Sequence, residues 1–277
     1  IAKTLGVSRS QVSRLLTQAQ QEGIVHITIV DPFSGQAQLK EALTKTFGLA
    51  DAIVVAGAMP SEEMRRKRIG QAAARYLEAT LSEGDRIGIG SGRTLYALAT
   101  SLSGHRRLQV QVLPLLGGLG RVPACFQANE LARTVAETLG GSWRVLYVPA
   151  VLENPAALGA MLAHDHVQAV VDSWSELTVA VVCIGHVLSP SGAQTLFADF
   201  LDGDTQRRLL EQGAAGGICV RYFDTLGKAC PELADRVVGL ALTQFRHIPR
   251  VIGVAGGPEK VGAILAALRG GYVNVLV

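Results

Sequence analysis

From residue 85 to residue 96 the chain reads Asp-Arg-Ile-Gly-Ile-Gly-Ser-Gly-Arg-Thr-Leu-Tyr, and these residue types can hold an anion. Gly90, Ser91 and Gly92 form a tight turn whose backbone N–H groups face an approaching oxyanion, and glycine lets that anion come close. Ser91 and Thr94 add hydroxyl donors and Arg93 adds a guanidinium. The same residues also fit a plain strand-to-helix turn that needs glycine only for its geometry. A second glycine loop, Gly256-Gly257-Pro-Glu-Lys260, again opens a run with helical spacing. Pro258 suits a first helical turn, and Lys260 brings a cation to it. A third, Gly117-Gly118-Leu-Gly120, follows an apolar run. Asp224 can accept hydrogen bonds from sugar hydroxyls, or it can close the turn Asp224-Thr-Leu-Gly227.

Several other chemistries are excluded. The loop at 90–94 lacks the Gly-Lys-Ser/Thr ending of a nucleotide-binding loop, and Arg93 stands where a dinucleotide fingerprint needs its third glycine. Ser91 is flanked by glycines at the wrong offset for a nucleophile elbow. His164, His186 and His247 have no partner at metal-ligand spacing, and none of Cys125, Cys183, Cys219 and Cys230 forms a Cys-x-x-Cys pair. No metal, no cofactor and no catalytic residue is expected.

The elements around these loops alternate. Short apolar runs at 87–89, 108–116, 143–148, 179–184, 217–223, 237–242, 250–255 and 272–277 read as strands. Helical spacing occupies 36–47, 61–81, the stretch from Arg93, 124–139, 156–162, 166–174, 205–212 and 261–268. Alternation of this kind predicts an α/β fold with a mostly parallel sheet flanked by helices. Ligands in such folds bind beyond the carboxyl ends of the strands, where the three glycine loops, His186 and Asp224 are expected. The basic run Arg65-Arg-Lys-Arg68 is read as a solvated helix face, partly neutralised by Glu62 and Glu63.

The first thirty residues differ in kind. A helix end at 1–6 stops at Gly6. Ser8-Arg-Ser-Gln11 has the spacing of a capping box, and Val12, Leu15, Leu16 and Ala19 form the apolar stripe of a second helix. A β-branched strand follows at 24–30, and Asp31-Pro-Phe-Ser-Gly35 marks a boundary. Helix, short turn, capped helix and strand predict a partial helix-turn-helix at 1–30, ahead of a larger domain at 36–277. Its second helix offers Arg9, Ser10, Gln11 and Arg14 to base edges in the major groove of double-stranded operator DNA. Because the chain begins mid-pattern at Ile1 and ends on a strand at Val277, further segments are expected at both ends.

Composition agrees with a globular protein. The 277 residues are 48% hydrophobic and 18% charged, with a formal net charge of +3, a balance that permits a nucleic-acid partner without requiring one. No apolar run approaches the ~20 residues of a membrane span. Four unpaired cysteines fit a reducing cytoplasm.

With these motifs assembled, the chain resembles the SorC-type, DeoR-like sugar-binding transcriptional regulators almost end to end. The shared pattern is Ile-Ala-x-x-Leu-Gly-Val-Ser-x-Ser-x-Val-Ser-Arg-Leu-Leu at 1–16, Ser-Gly-Arg-Thr-Leu-Tyr-Ala at 91–97 and Gly-Gly-Leu-Gly at 117–120. It continues through Asn129, Ile-Cys-x-Arg-Tyr-Phe-Asp at 218–224, Ile-Pro-Arg-Val-Ile at 248–252, Ala-Gly-Gly-x-x-Lys at 255–260 and Ala-Leu-Arg-Gly-Gly-Tyr-Val-Asn-Val-Leu at 267–276. The resemblance implies an effector domain of sugar-phosphate isomerase-like fold, a sugar, polyol or sugar-phosphate effector, and a homo-oligomer, dimer or tetramer. By position it implies that Ser91, Gly92, Arg93 and Thr94 hold a phosphate with help from Lys260, while Asn129 and Asp224 meet sugar hydroxyls. Leu116 and Gly217 stand where relatives carry polar residues, which implies a less polar pocket. The reading is a DNA-binding regulator. The alternatives are an isomerase-type enzyme, for which no acid/base pair is evident beyond Asp224 and Glu259, and a ligand-free DNA-binding protein.

Overall fold

The computed structural model describes residues 8, 10–12, 14, 15, 18, 35–57, 59, 61–120, 122–187 and 201–277. The chain divides into two compact units, Ile1–Gln38 and Leu39–Val277.

In the first unit, Ser10, Gln11, Val12, Arg14, Leu15 and Gln18 are helical. The capping box forms as its sequence predicts. The Gln11 N–H donates to Ser8 Oγ at 3.2 Å, and the Ser8 N–H donates to Gln11 Oε1 at 2.9 Å, so two donors that the helix cannot pair are satisfied reciprocally. Ser10, Gln11 and Arg14 are exposed. Leu15, expected in the buried stripe, is instead 56% exposed, and Val12 is half-buried. The stripe is therefore open on that side. Arg9, the helix end at 1–6, the strand at 24–30 and most of the linker lie outside the described residues.

Among the described residues the second unit has ten strands. These are β1 (Asp51–Ala52), β2 (Arg86–Ile89), β3 (Gln111–Pro114), β4 (Ser142–Trp143), β5 (Val179–Cys183), β6 (Gly185–His186), β7 (Ala214–Ile218), β8 (Arg221–Asp224), β9 (Arg250–Val254) and β10 (Val275–Leu276). Seven form one sheet in the order β1-β10-β9-β5-β2-β3-β4, and every neighbouring pair is parallel. The strands are apolar on both faces because helices cover both. Val179 and Val181 join Ile87, Ile89 and the helices Glu62–Thr80 and Ala128–Leu139 in one core cluster. Ala180 and Val182 point the other way, into a cluster with Val167, Val170, Ala263 and Ala266. Each such Leu, Ile or Val stabilises the fold by about 1.5–3 kcal/mol relative to exposure.

The strand order creates one reversal. From β2 the chain adds β3 and then β4 on one side; β5 returns to the other side of β2, and β9, β10 and β1 extend the sheet from there. The loops leaving β2 and β5 therefore diverge, and sheets of this kind take their ligands in the crevice at such a point, beyond the carboxyl ends of the strands.

Other sequence expectations need correction. The apolar run at 217–223 is not one parallel strand. It belongs to an antiparallel hairpin, β7–β8, that forms a small sheet in the order β6-β7-β8. The hairpin turns at Cys219 and Val220, which lack the usual Asn-Gly signature and adopt φ of 50° and 61°. The expected strand at 237–242 makes only isolated bridges, Val237 to Val151 and Gly239 to Leu116. Half-buried Arg221 holds it instead, donating to the carbonyls of Ala234, Val237 and Gly239 at 2.8, 3.0 and 3.1 Å. The helix expected over 124–139 breaks at Gln127, whose amide bonds Leu119 and Val122.

Candidate functional site

The loop after β2 is held from both sides. The Gly90 N–H donates to the Val181 carbonyl at 3.0 Å, the Gly92 N–H donates to Phe126 at 3.0 Å, and the Gly92 carbonyl accepts from Tyr96 at 2.9 Å. Gly92 caps the helix Arg93–Ala99 with φ 138° and ψ 163°, a region that only glycine occupies readily. A Cβ there would stand 3.3 Å from the Cys183 sulfur. Ser91 and Thr94 are 6% and 5% exposed, whereas Arg93 is exposed. Four buried side-chain polar atoms among the described residues have no hydrogen-bond partner, and Ser91 Oγ is one of them.

The loop after β9 repeats this design. Gly257 has φ 127° and ψ 147° and opens the short 3-10 turn Pro258–Lys260, which leads into the helix Val261–Arg269. Arg65 reaches over this loop from the helix Glu62–Thr80 and pairs with Glu259 at 3.3 Å. A Cβ at Gly257 would run into both partners of that pair, so glycine is what leaves room for it. The rest of the basic run behaves as a helix face: Arg66 pairs with Glu62, and Arg68 donates to the Ala56 carbonyl at 3.4 Å.

The two loops converge on the end of β5. Burial pushes the Cys183 thiol up. The Lys260 charge, the N–H groups of Leu95 and Thr94 and the Thr94 hydroxyl all pull it back. A cation from one loop and the donors of the other therefore surround one sulfur. The Cys219–Val220 hairpin tip backs the first loop, since a Cβ at Gly90 would lie 3.5 Å from the Cys219 sulfur. Both tip residues are buried with positive φ, and burial together with nearby Cys183 pushes the Cys219 thiol up. A β-branched residue at φ 61° is a costly conformation, held here by its packing.

His186 also belongs to this region, and sequence reasoning assigned it no chemistry. It lies on β6, one turn of chain beyond Cys183, with its Nε2 enclosed and unpartnered. Burial lowers its pKa, Lys260 lowers it further, and Glu259 and Glu62 oppose. Its place immediately after a buried strand and a glycine was the available signal.

Four other expected residues serve the fold. Gly117 and Gly118 spend their N–H groups on Val238 at 3.0 Å and Val148 at 2.7 Å, and a Cβ at Gly117 would run into the Val148 carbonyl. Gly117 thus permits a close backbone crossing. Asn129 donates to the Leu146 carbonyl at 3.1 Å and accepts the Leu146 N–H at 2.8 Å, which engages both ends of its amide. Asp224 is a turn residue, with Oδ1 accepting from Leu226 and Lys228 at 2.9 Å each. Gly227 of that turn lies against Gly270, at the opposite end of the helix Val261–Arg269 from Lys260. Because Asp224 sits on an antiparallel hairpin, the carboxyl-end rule does not carry it to the crevice. Neither carboxylate considered as an isomerase base is free there, since Glu259 is paired with Arg65. Among the described residues, no group of three or more His, Cys, Asp or Glu could hold a metal ion, and no helix is long and apolar enough to cross a membrane.

The parallel sheet thus carries two glycine loops at the carboxyl ends of its strands, and the first unit carries a capped helix with exposed Ser10, Gln11 and Arg14. Residues 31–277 match the family described as "Putative sugar-binding domain". The whole chain aligns at 32% identity with 88% of the deoxyribonucleoside regulator of Bacillus subtilis (strain 168), and at 30% with 88% of the sorbitol operon regulator of Klebsiella pneumoniae. The crystal structure of the full-length sorbitol operon regulator SorC from Klebsiella pneumoniae superposes with a TM-score of 0.83 at 29% identity, over 100% of this chain and 88% of that one. The chain belongs to the SorC-type sugar-binding transcriptional regulators. These relatives are regulators, which favours regulation over the isomerase-type enzyme.

Proposed function

We propose that residues 1–30 contribute the DNA-reading part and residues 36–277 the effector domain of this regulator, and that a phosphorylated sugar or polyol binds at the β2/β5 crevice. Ser91, Gly92, Arg93 and Thr94 hold its phosphate. Gly256, Gly257 and Lys260 close on it from the other side, and Gly117 and Gly118 shape the wall. The observation that carries this reading is the buried, unpartnered Ser91 hydroxyl in a glycine loop at the one reversal of strand order. Leaving such a group unpaired costs about 1–3 kcal/mol, which a ligand oxygen would offset. The names of the relatives, a deoxyribonucleoside regulator and a sorbitol operon regulator, favour effectors built on sugars or polyols.

Arg9, Ser10, Gln11 and Arg14 read the operator. The protein acts in the cytoplasm as a homo-oligomer, a dimer or tetramer. The effector changes operator affinity by binding two conformations unequally. The test is a thermal-shift panel of sugar and polyol phosphates, followed by operator binding with and without any that stabilise. Lys260→Ala removes a charge-assisted bond worth about 1.5–3 kcal/mol, so affinity for a phosphorylated ligand should fall roughly 10- to 150-fold. Normal binding by both Lys260→Ala and Thr94→Ala would refute the phosphate assignment.

A further inference from the structure

Ser91 Oγ has a counterpart on β6. His186 Nε2 is likewise enclosed and without a hydrogen-bond partner. His186 lies on β6, three residues beyond Cys183 at the end of β5, and β6 packs against the Pro258–Lys260 turn. Its ladder partner on β7 is Gly216, where a side chain would run into Ala263 on the helix that Lys260 precedes. Gly216 and Ala263 bring no charge. The charges that act on the ring come from Lys260 and Glu259, on the turn after β9, and from Glu62, at the start of the helix Glu62–Thr80. Glu259 is already paired with Arg65, and Glu62 with Arg66. Lys260 is therefore the neighbour whose charge an anion would meet first.

We propose that His186 completes the effector site, and that an anion bound between it and Lys260 draws a proton onto its imidazole. This rests on the reading of the crevice as a phosphate site and adds to it a contact and a pH dependence. Burial and the Lys260 cation both lower the pKa of the ring in the free protein, against the opposing pull of Glu259 and Glu62. A bound phosphate carries about −1.5 to −2 charges near pH 7, screens Lys260, and places negative charge beside the ring. The protonated imidazole is favoured there, and either ring nitrogen can then donate to the ligand. Because the imidazole pKa is higher in the complex than in the free protein, the extra affinity appears as pH falls through the complex pKa. It levels off below the free-protein pKa and is lost at high pH. A one-unit rise on binding is worth up to about tenfold in affinity.

The experiment is a calorimetric titration of the whole chain with glucitol 6-phosphate, ribose 5-phosphate and inorganic phosphate at pH 6, 7 and 8, for wild type and His186→Gln. At pH 7 the wild type is repeated in two buffers of different ionisation enthalpy. The expected result is wild-type binding that gains on His186→Gln by several-fold between pH 8 and pH 6, with net proton uptake at pH 7 beyond that of the variant. Equal affinities and equal pH profiles for the two proteins would overturn the role of His186 alone. If His186→Gln does not fold, a wild type that binds with no proton uptake overturns it equally. Wild type that binds none of the three probes at any pH overturns the crevice as a phosphate site, and this inference falls with it.

Discussion

Replacing Gly92 by alanine tests the β2 loop directly. The native backbone at Gly92 has φ 138° and ψ 163°, where an L-residue pays on the order of 1–3 kcal/mol. The new methyl would also stand 3.3 Å from the Cys183 sulfur, tight enough that β5 or the loop must yield by a few tenths of an ångström. A domain of this size loses about 2–4 °C of Tm per kcal/mol, so Gly92→Ala should melt roughly 2–12 °C below wild type. The same shift moves Ser91 and Thr94 off their positions, so any Tm rise produced by a stabilising sugar phosphate should shrink or vanish. Gly159→Ala is the control, because a Cβ there meets nothing within 4 Å. Thermal melts of the three proteins, with and without ligand, make the comparison. Gly92→Ala melting with wild type and keeping the full ligand response would refute the argument.

Three further outcomes are expected. Asn129→Ala leaves the Leu146 N–H and carbonyl without their side-chain partner and should cost about 1–3 kcal/mol in denaturant unfolding while ligand affinity is unchanged; a selective loss of affinity would restore Asn129 to the site. Ser8→Ala removes one arm of the capping box and should destabilise its helix by about 1 kcal/mol, read as weaker operator binding in fluorescence anisotropy with ligand binding intact. Gly257→Ala must displace the Arg65–Glu259 pair, so ligand affinity should fall and then recover in part in Gly257→Ala/Glu259→Gln; no loss in the single variant would place the anion elsewhere.

The parts of the fold that depend on local pattern were legible in the residues. Ser8 and Gln11 at capping-box spacing, the doubly apolar strands and the two glycine loops all read correctly, because each is fixed by neighbours a few residues away. What failed depended on distant partners. Cys219 and Val220 carry no turn signature, and their positive φ is found where the tip is buried, with Cys219 close to Gly90 and Gly239, so the hairpin read as one strand. Asp224 followed that error to the wrong end of a strand. Asn129 looked polar and available, but its partner Leu146 lies seventeen residues away. The crevice itself is a property of strand order, β9-β5-β2-β3, which no local pattern encodes. That order is what joins Ser91, Cys183, His186 and Lys260.

A phosphorylated ligand is proposed to sit across the carboxyl ends of β2 and β5. Crystals of the protein grown with a stabilising sugar phosphate test it most directly. The account predicts phosphate density within hydrogen-bond distance of Ser91 Oγ and Lys260 Nζ. A fully occupied ligand elsewhere, at the Asp224 turn or on the helix faces, with the Ser91 hydroxyl still unpartnered, would contradict it.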